Sequence, residues 1–158
     1  MKKHVFPGRF TTENPDDIVV FIIGMRCNNR LAVHKWFPIF SAMPPMIREL
    51  YANKEELGFL SMESYIGLRT TTMIQYWRSM DDLLSYSKGK KHLAAWRKFN
   101  VKLRDNSAVG FYHETYHVPA GSFESNYVNM PYYGLGEATK HVPVTPDKNY
   151  LRDRMKVE

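Results

Sequence analysis

The sequence is short of cysteine: Cys27 is the single one among 158 residues. One thiol excludes an intramolecular disulfide and a cysteine-based zinc site, which needs several thiolates. A disulfide-stapled secreted scaffold is therefore excluded, and a reducing, cytoplasmic compartment is expected. Long apolar runs are also missing. The longest, Ile18 to Met25, is far too short for a membrane-spanning helix, so no membrane partner is expected. The basic start, Met1 to Arg9, is followed by no apolar segment and does not read as a signal peptide. There is no internal repeat and no low-complexity tract. Gly24 and Gly134-Leu135-Gly136 have neither a Walker lysine nor dinucleotide spacing, so no phosphate loop is present.

What is plentiful is aromatic: 14 % of the chain, with ten Tyr, nine Phe and three Trp, alongside nine Met. Bulky rings and adaptable thioethers fill cores, but they also build apolar pockets and large interfaces. Hydrophobic residues at 44 % and charged residues at 24 % are ordinary for a folded domain. The length suits one domain with appended segments.

Basic residues outnumber acidic ones, 22 to 16, for a formal charge of +6. Seven of them lie between Lys88 and Arg104: Lys88, Lys90, Lys91, Arg97, Lys98, Lys102 and Arg104. Leu93, Trp96, Phe99 and Leu103 recur among them every three or four residues. This is the solvated face of an amphipathic helix. No helix-turn-helix, zinc finger or RNA-binding aromatic signature accompanies it, and no nucleic-acid partner is expected.

Periodicity gives the order of elements. Residues 1–15 read as an arm carrying the turn signals Pro7-Gly8 and Asn14-Pro15. Asp17 to Arg26 is β-branched and apolar on both faces, as in a central strand. Val33 to Lys54 has helical spacing, interrupted at Pro44-Pro45 by a kink or a junction of two helices. Phe59–Gly67 and Thr70–Arg78 form a hairpin. Ser79, followed by Asp81 and Asp82, starts a short helix to Tyr86. The basic helix then runs to about Arg104, and Ala108 to Val118 is a fourth strand. There Phe111, His113, Thr115 and His117 share one face.

Strand, helix, strand, strand, helix, strand is the ferredoxin-like α+β arrangement: βαββαβ around an antiparallel four-stranded sheet. Residues 16–118 form this domain. Residues 119–158, aromatic and without period, form a C-terminal extension that packs on the barrel or on a dimer partner. With both helices on one face, the other face of the sheet would stay bare. Covering it with a second copy saves roughly 25 cal/mol per Å² of apolar area, so a two-fold homodimer is expected.

Several stretches carry a family likeness: Val20 to Asn28, Gln75-Tyr76-Trp77-Arg78-Ser79, His92 to Phe99, Val109 to Tyr116, and Tyr127 to Pro131. Over about residues 9 to 140 the chain resembles the dimeric α+β barrel superfamily, which includes the antibiotic-biosynthesis monooxygenases. It is most similar to a branch of unknown function often described as monooxygenase-like. The resemblance implies a small, cofactor-independent monooxygenase-type enzyme. Such an enzyme would act on an aromatic or polyketide-like hydrophobic molecule inside a barrel that excludes water. Two alternatives belong to the same superfamily: a haem-binding protein, either dehydratase-like or a sensor, and a non-catalytic hydrophobic-ligand binder. Haem-degrading relatives place a Trp nine residues after the strand Trp and a ligating His nineteen after it. Counted from Trp77, these positions hold Tyr86 and Trp96, so that scheme lacks its ligand.

The candidate catalytic residues are His92 or His113 as proton acceptor and Arg26 and Asn28 as orienting groups. Trp77, Tyr76, Tyr116, Trp96 and Phe111 are the candidate pocket walls. His113 and Glu114 are strand neighbours and face opposite ways. His113 and His117 share a face but lie about 13 Å apart at ~3.3 Å per residue. They cannot chelate one metal, and no metal site is expected. Cys27 has no histidine near it in sequence and does not read as a nucleophile.

Overall fold

The structure is a computed structural model that describes residues 3–13 and 16–155, without the side chains of residues 90, 91, 95 and 98. The Asn14-Pro15 turn signal and the side chains of Lys90, Lys91 and Lys98 on the basic face lie outside the described residues. Four long antiparallel strands make the central sheet: β2 (Ile18–Cys27), β3 (Phe59–Ile66), β4 (Thr70–Trp77) and β5 (Val109–Val118), in the order β3-β4-β2-β5. The β-branched run of β2 is therefore interior in its sheet, paired along its length with β4 and β5. The fold is α+β and ferredoxin-like.

Strand alternation sorts the side chains. Val19, Phe21, Ile23 and Met25 point to the helices, together with their cross-strand partners Met73 and Trp77 on β4 and Phe111, His113, Thr115 and His117 on β5. The helices α1 (Val33–Phe40), α2 (Met43–Ala52), α3 (Lys54–Leu57), α4 (Met80–Lys88) and α5 (Lys90–Leu103) lie on this side. One core joins Val19, Leu50, Phe59, Met62, Met73, Trp77 and Leu83; a second joins Met25, Ile39 and Val109. The helical run from Val33 does not break at Pro44-Pro45. It breaks at Ser41-Ala42, and the prolines occupy the first turn of α2. Proline is tolerated there because first-turn N–H groups have no intrahelical partner.

Local signals at the α3–α4 junction are met by side chains. Ser79 Oγ accepts the Asp82 N–H (3.1 Å), which caps α4, and Arg78 grips the Asp82 carboxylate at 2.9 and 3.0 Å. Gly58 ends α3 in the left-handed conformation with φ 68°, and a Cβ there would sit 2.4 Å from the Asp82 carboxyl carbon. Gly58→Ala is expected to cost about 1–2 kcal/mol for the left-handed backbone alone. Displacing Asp82 from Arg78 and Ser79 adds to that. A urea unfolding midpoint equal to that of the parent protein would contradict it.

The N-terminal segment is not only an arm. Strand β1 (Phe6–Glu13) lies between β6 (Tyr127–Met130) and β7 (Lys140–Pro143) of the extension, making a second, three-stranded sheet. Thr11 and Thr12 are buried against Ser125 through hydroxyl hydrogen bonds of 2.7 and 2.9 Å. Phe10 stacks on His141 (4.6 Å, 6°), while Phe6, Tyr127 and Tyr132 close around the same imidazole. A short 3-10 turn (Pro146–Lys148) and helix α7 (Leu151–Arg154) follow β7.

Burial lowers the pKa of His141 below its ordinary value, and its Nε2 has no hydrogen-bond partner among the described residues. Below about pH 6.5 the unfolded chain binds a proton that the folded imidazole resists, so this contribution to stability is lost as pH falls. Amide protection factors in β1 and β7, which correct for the intrinsic exchange rate, are expected to fall from pH 7 toward pH 5 with a slope of at most one proton, and His141→Phe to flatten that slope. An unchanged slope in the variant would place the pH dependence elsewhere.

Candidate functional site

Helix α6 (Leu135–Ala138) and the loop before it settle on the face of the sheet away from the long helices. Gly134 N–H donates to Glu63 Oε1 (3.0 Å), Ser61 Oγ donates to the Gly134 carbonyl (3.2 Å), and the Tyr65 and Tyr133 hydroxyls share a hydrogen bond. The extension thus covers the β3–β4 half of the face expected to be bare. Val20, Ile22, Tyr112, Glu114 and Tyr116 on the β2–β5 half stay partly or largely open, with Tyr112 41 % and Tyr116 50 % exposed. Gly24 makes room on that half for the Tyr112 ring, whose Cε1 would lie 2.4 Å from a Cβ at Gly24.

A partly open apolar space lies on the other side, between helices and sheet. A chamber of about 190 Å³ has Ile23, Met25, Met73 and Phe111 as its floor and Ile39, Phe40, Met43 and Ile47 of α1 and α2 as its roof. Phe99 of α5 forms a side wall. Phe99 meets Phe111 edge to face at 4.8 Å, and Trp96 stacks behind Phe99 at 5.4 Å. Among the described residues no ionisable side chain lines it; Ser64 and Thr71 are its polar members. An engineered apolar cavity of about 150 Å³ holds benzene, so this chamber has room for one substituted ring or a short alkyl chain.

Met25, Phe40, Ile66 and Thr71 also line a second, outer cavity of about 850 Å³ at the end of the sheet. This vestibule is polar at its mouth: Asn28, Asn29, Arg30 and Arg69 face it, with Cys27 and Trp36 deeper in. Strand register explains the meeting. Arg26 pairs with Thr70, and Cys27 N–H donates to the Arg69 carbonyl (2.7 Å), so the β2–α1 loop and the β3–β4 turn share one end. Trp36 Nε1 donates to the Arg30 carbonyl (3.1 Å) and ties α1 to that loop.

The residues singled out from sequence do not form one constellation. Phe111 lines the chamber and Trp96 backs it. Trp77 does not wall a pocket: it is fully buried in the core, with its indole N–H on Gln75 Oε1 at 3.0 Å. Tyr76 and Tyr116 project from the opposite face. Tyr116 donates to Glu114 Oε2 (2.7 Å), which raises its pKa. Burial, helped by neighbouring phenols and Glu63, pushes Tyr76 up to about 12. A Cβ at Gly134 would touch the Tyr76 hydroxyl (3.4 Å), so Tyr76 packs under the extension.

His113 is on the helix-side face of β5 one alternation beyond Phe111 but is exposed, with its ring 5.7 Å from Phe21. His92 holds the α4–α5 junction: its Nδ1 is 3.0 Å from the Ser87 carbonyl and its ring packs on Tyr86. Arg26 is exposed at the end of β2 on the face away from the chamber. Asn28 donates to the Ser107 carbonyl (3.1 Å), a loop-holding bond, and also faces the vestibule. The chamber residues of α1, α2 and α5 and the two vestibule arginines were not singled out. The apolar spacing at 39, 40, 43 and 47 carried the signal, but it reads equally as ordinary helix packing.

No group of three metal-ligating side chains comes together among the described residues. No histidine lines the chamber or the vestibule. Among the described residues no helix is long and apolar enough to cross a membrane.

Comparison with known proteins places these features. The monooxygenase af470-like family matches residues 18–135. Monooxygenase af470 of Aspergillus fumigatus is 28 % identical over 134 residues, which covers 78 % of this chain and 48 % of that protein. The chain therefore spans about half the length of the curated relative it matches. Among solved structures, an aldoxime dehydratase in complex with butyraldoxime superposes with a TM-score of 0.67 at 20 % identity, covering 87 % of this chain and 42 % of that one. SnoaB, a cofactor-independent oxygenase from Streptomyces nogalater, matches with a TM-score of 0.42 at 14 % identity, over 63 % of this chain and 91 % of its own. At these identities the likeness to the dehydratase is one of fold.

Proposed function

The chain belongs to the monooxygenase af470-like family, and on that premise we propose that it oxygenates a hydrophobic small molecule bound in the helix-side chamber, without a flavin, haem or metal of its own. The observation that carries the proposal is an apolar chamber of about 190 Å³ with no ionisable lining among the described residues. Such a wall holds an uncharged aromatic group, excludes water and offers no ligand to a cofactor. The electrons then have to come from the substrate. An acidic, electron-rich carbon, such as a methylene between aromatic or carbonyl groups, loses a proton and reacts with O2. One oxygen atom stays as a carbonyl and the other leaves as water.

His113 is exposed and outside the lining of both cavities, one alternation beyond Phe111 on β5. It is the proposed proton acceptor for a substrate whose acidic carbon projects past Phe111, and Asn28 at the vestibule is an orienting group. Arg26 on the other face and His92, engaged by Ser87, are not used. We assign the open β2–β5 half of the sheet to a second copy of the chain. Half-exposed Tyr112 and Tyr116 on that face support this, as does a curated relative with about as much chain again beyond the match.

The test is oxygen uptake by the purified chain with hydroxylated one- and two-ring aromatics in chelator-treated buffer. Protein-dependent uptake that falls in His113→Gln is expected. No uptake with any of them, together with a new Soret band after haem is added, would replace this reading by the haem-binding one. Native mass spectrometry tests the second copy, and a monomer at micromolar concentration would contradict it.

A further inference from the structure

The chamber and the vestibule differ in chemistry. Among the described residues the chamber has no charged side chain, and the vestibule carries cationic side chains and no anionic one. Its charged members, Arg30 and Arg69, come from separate loops, and neither side chain has an ion-pair partner among the described residues. Their backbones are fixed: the Arg30 carbonyl accepts from Trp36, which is itself a vestibule wall, and the Arg69 carbonyl accepts from Cys27 N–H. Both exposed arginines thus sit on anchored loops that line one mouth. Met25, Phe40, Ile66 and Thr71, common to both cavities, form the throat between that mouth and the chamber.

Two unpaired guanidinium groups beside an uncharged chamber would be an idle pair for a wholly apolar ligand. They suit a ligand with one ring or alkyl tail and an anionic end. Guanidinium forks match a carboxylate in geometry as well as in charge. We propose that the substrate class is an amphipathic carboxylate: its apolar end occupies the chamber, and its carboxylate is held in the vestibule by Arg30 and Arg69. Asn28 and Asn29, at the same mouth, add polar contacts to that end. This rests on the chamber being the ligand site, and it adds the chemistry of the ligand's other end.

Phenylbutyrate and phenylbutanol share a tail and differ in the charge of the head, so their binding to the full chain separates the two claims. The parent protein is expected to bind the carboxylate roughly tenfold more tightly than the alcohol, the scale of one charge-assisted contact. That preference should shrink as salt rises from about 0.05 to about 0.5 M. In the double variant Arg30→Gln, Arg69→Gln the preference should vanish, while affinity for the alcohol holds within about twofold. Equal affinity of the parent protein for both compounds would overturn the carboxylate assignment and leave the chamber standing. A preference that survives in the double variant would overturn it too, by placing the anion elsewhere. Failure to bind either compound would overturn the chamber itself.

Discussion

Trp77→Ala is expected to remove about 3–5 kcal/mol of folding stability, a large part of the ~5–15 kcal/mol that a domain has. Trp77 is fully buried, its ring meets Phe59 at 5.5 Å and Tyr86 at 5.4 Å, and it belongs to the core with Val19, Leu50 and Leu83. Truncation leaves a cavity that these neighbours close only in part. It also strands the buried Gln75 Oε1, whose donor is the indole N–H at 3.0 Å. An orphaned buried acceptor costs a further ~1–3 kcal/mol. Trp77→Phe restores much of the volume but not the donor, and should fall between the two. Urea denaturation followed by circular dichroism measures both. A variant as stable as the parent, with weakened ligand binding, would return Trp77 to a pocket wall.

Thr71→Trp is expected to weaken binding of an apolar ligand such as phenylbutanol by about a hundredfold or more, equivalent to ~2.7 kcal/mol. Thr71 stands opposite Met25 on one side and Ile66 on the other, and all three line both cavities. An indole at this point fills the throat. Overpacking a filled core costs about 1–3 kcal/mol. Here the added ring enters space that is already empty, so the unfolding midpoint should move less than that. Thr71→Ala, which widens the throat, should keep binding. If Thr71→Trp binds as the parent does, the ligand enters by another route or sits elsewhere.

The elements of the central domain were legible because each has a local cause. Alternation along Phe59–Ile66 and Thr70–Trp77, the Ser79 cap and the β-branched run of β2 all act over a few residues. The pocket was not legible in the same way. Tyr76, Trp77 and Tyr116 look alike as aromatic strand residues, but a strand's two faces have different fates, and which one meets the helices is decided by tertiary packing. The chamber lies on the helix side, away from the barrel interior where the site was expected. The strand β1 in the N-terminal arm was missed because its partners are more than a hundred residues away, with Phe10 opposite Tyr127 and Thr11 opposite Val142. Arg30 and Arg69 come to the same end of the sheet through the register of β2 on β4.

The aromatic excess divides accordingly. Trp77 and Phe59 are core. Phe99 and Phe111 line the chamber, and Trp96 backs them. Phe6, Phe10, Tyr127 and Tyr132 enclose His141 in the second sheet, and Tyr112 and Tyr116 are left on the open half of the first.

The most direct test is an anomalous-scattering map of crystals soaked with phenylbutyrate brominated on its ring. The bromine peak is predicted between Ile39 and Phe111, on the helix side of the sheet, with the carboxylate toward Arg30 and Arg69. A peak on the opposite face, among Tyr112, Glu114 and Tyr116, would contradict the account.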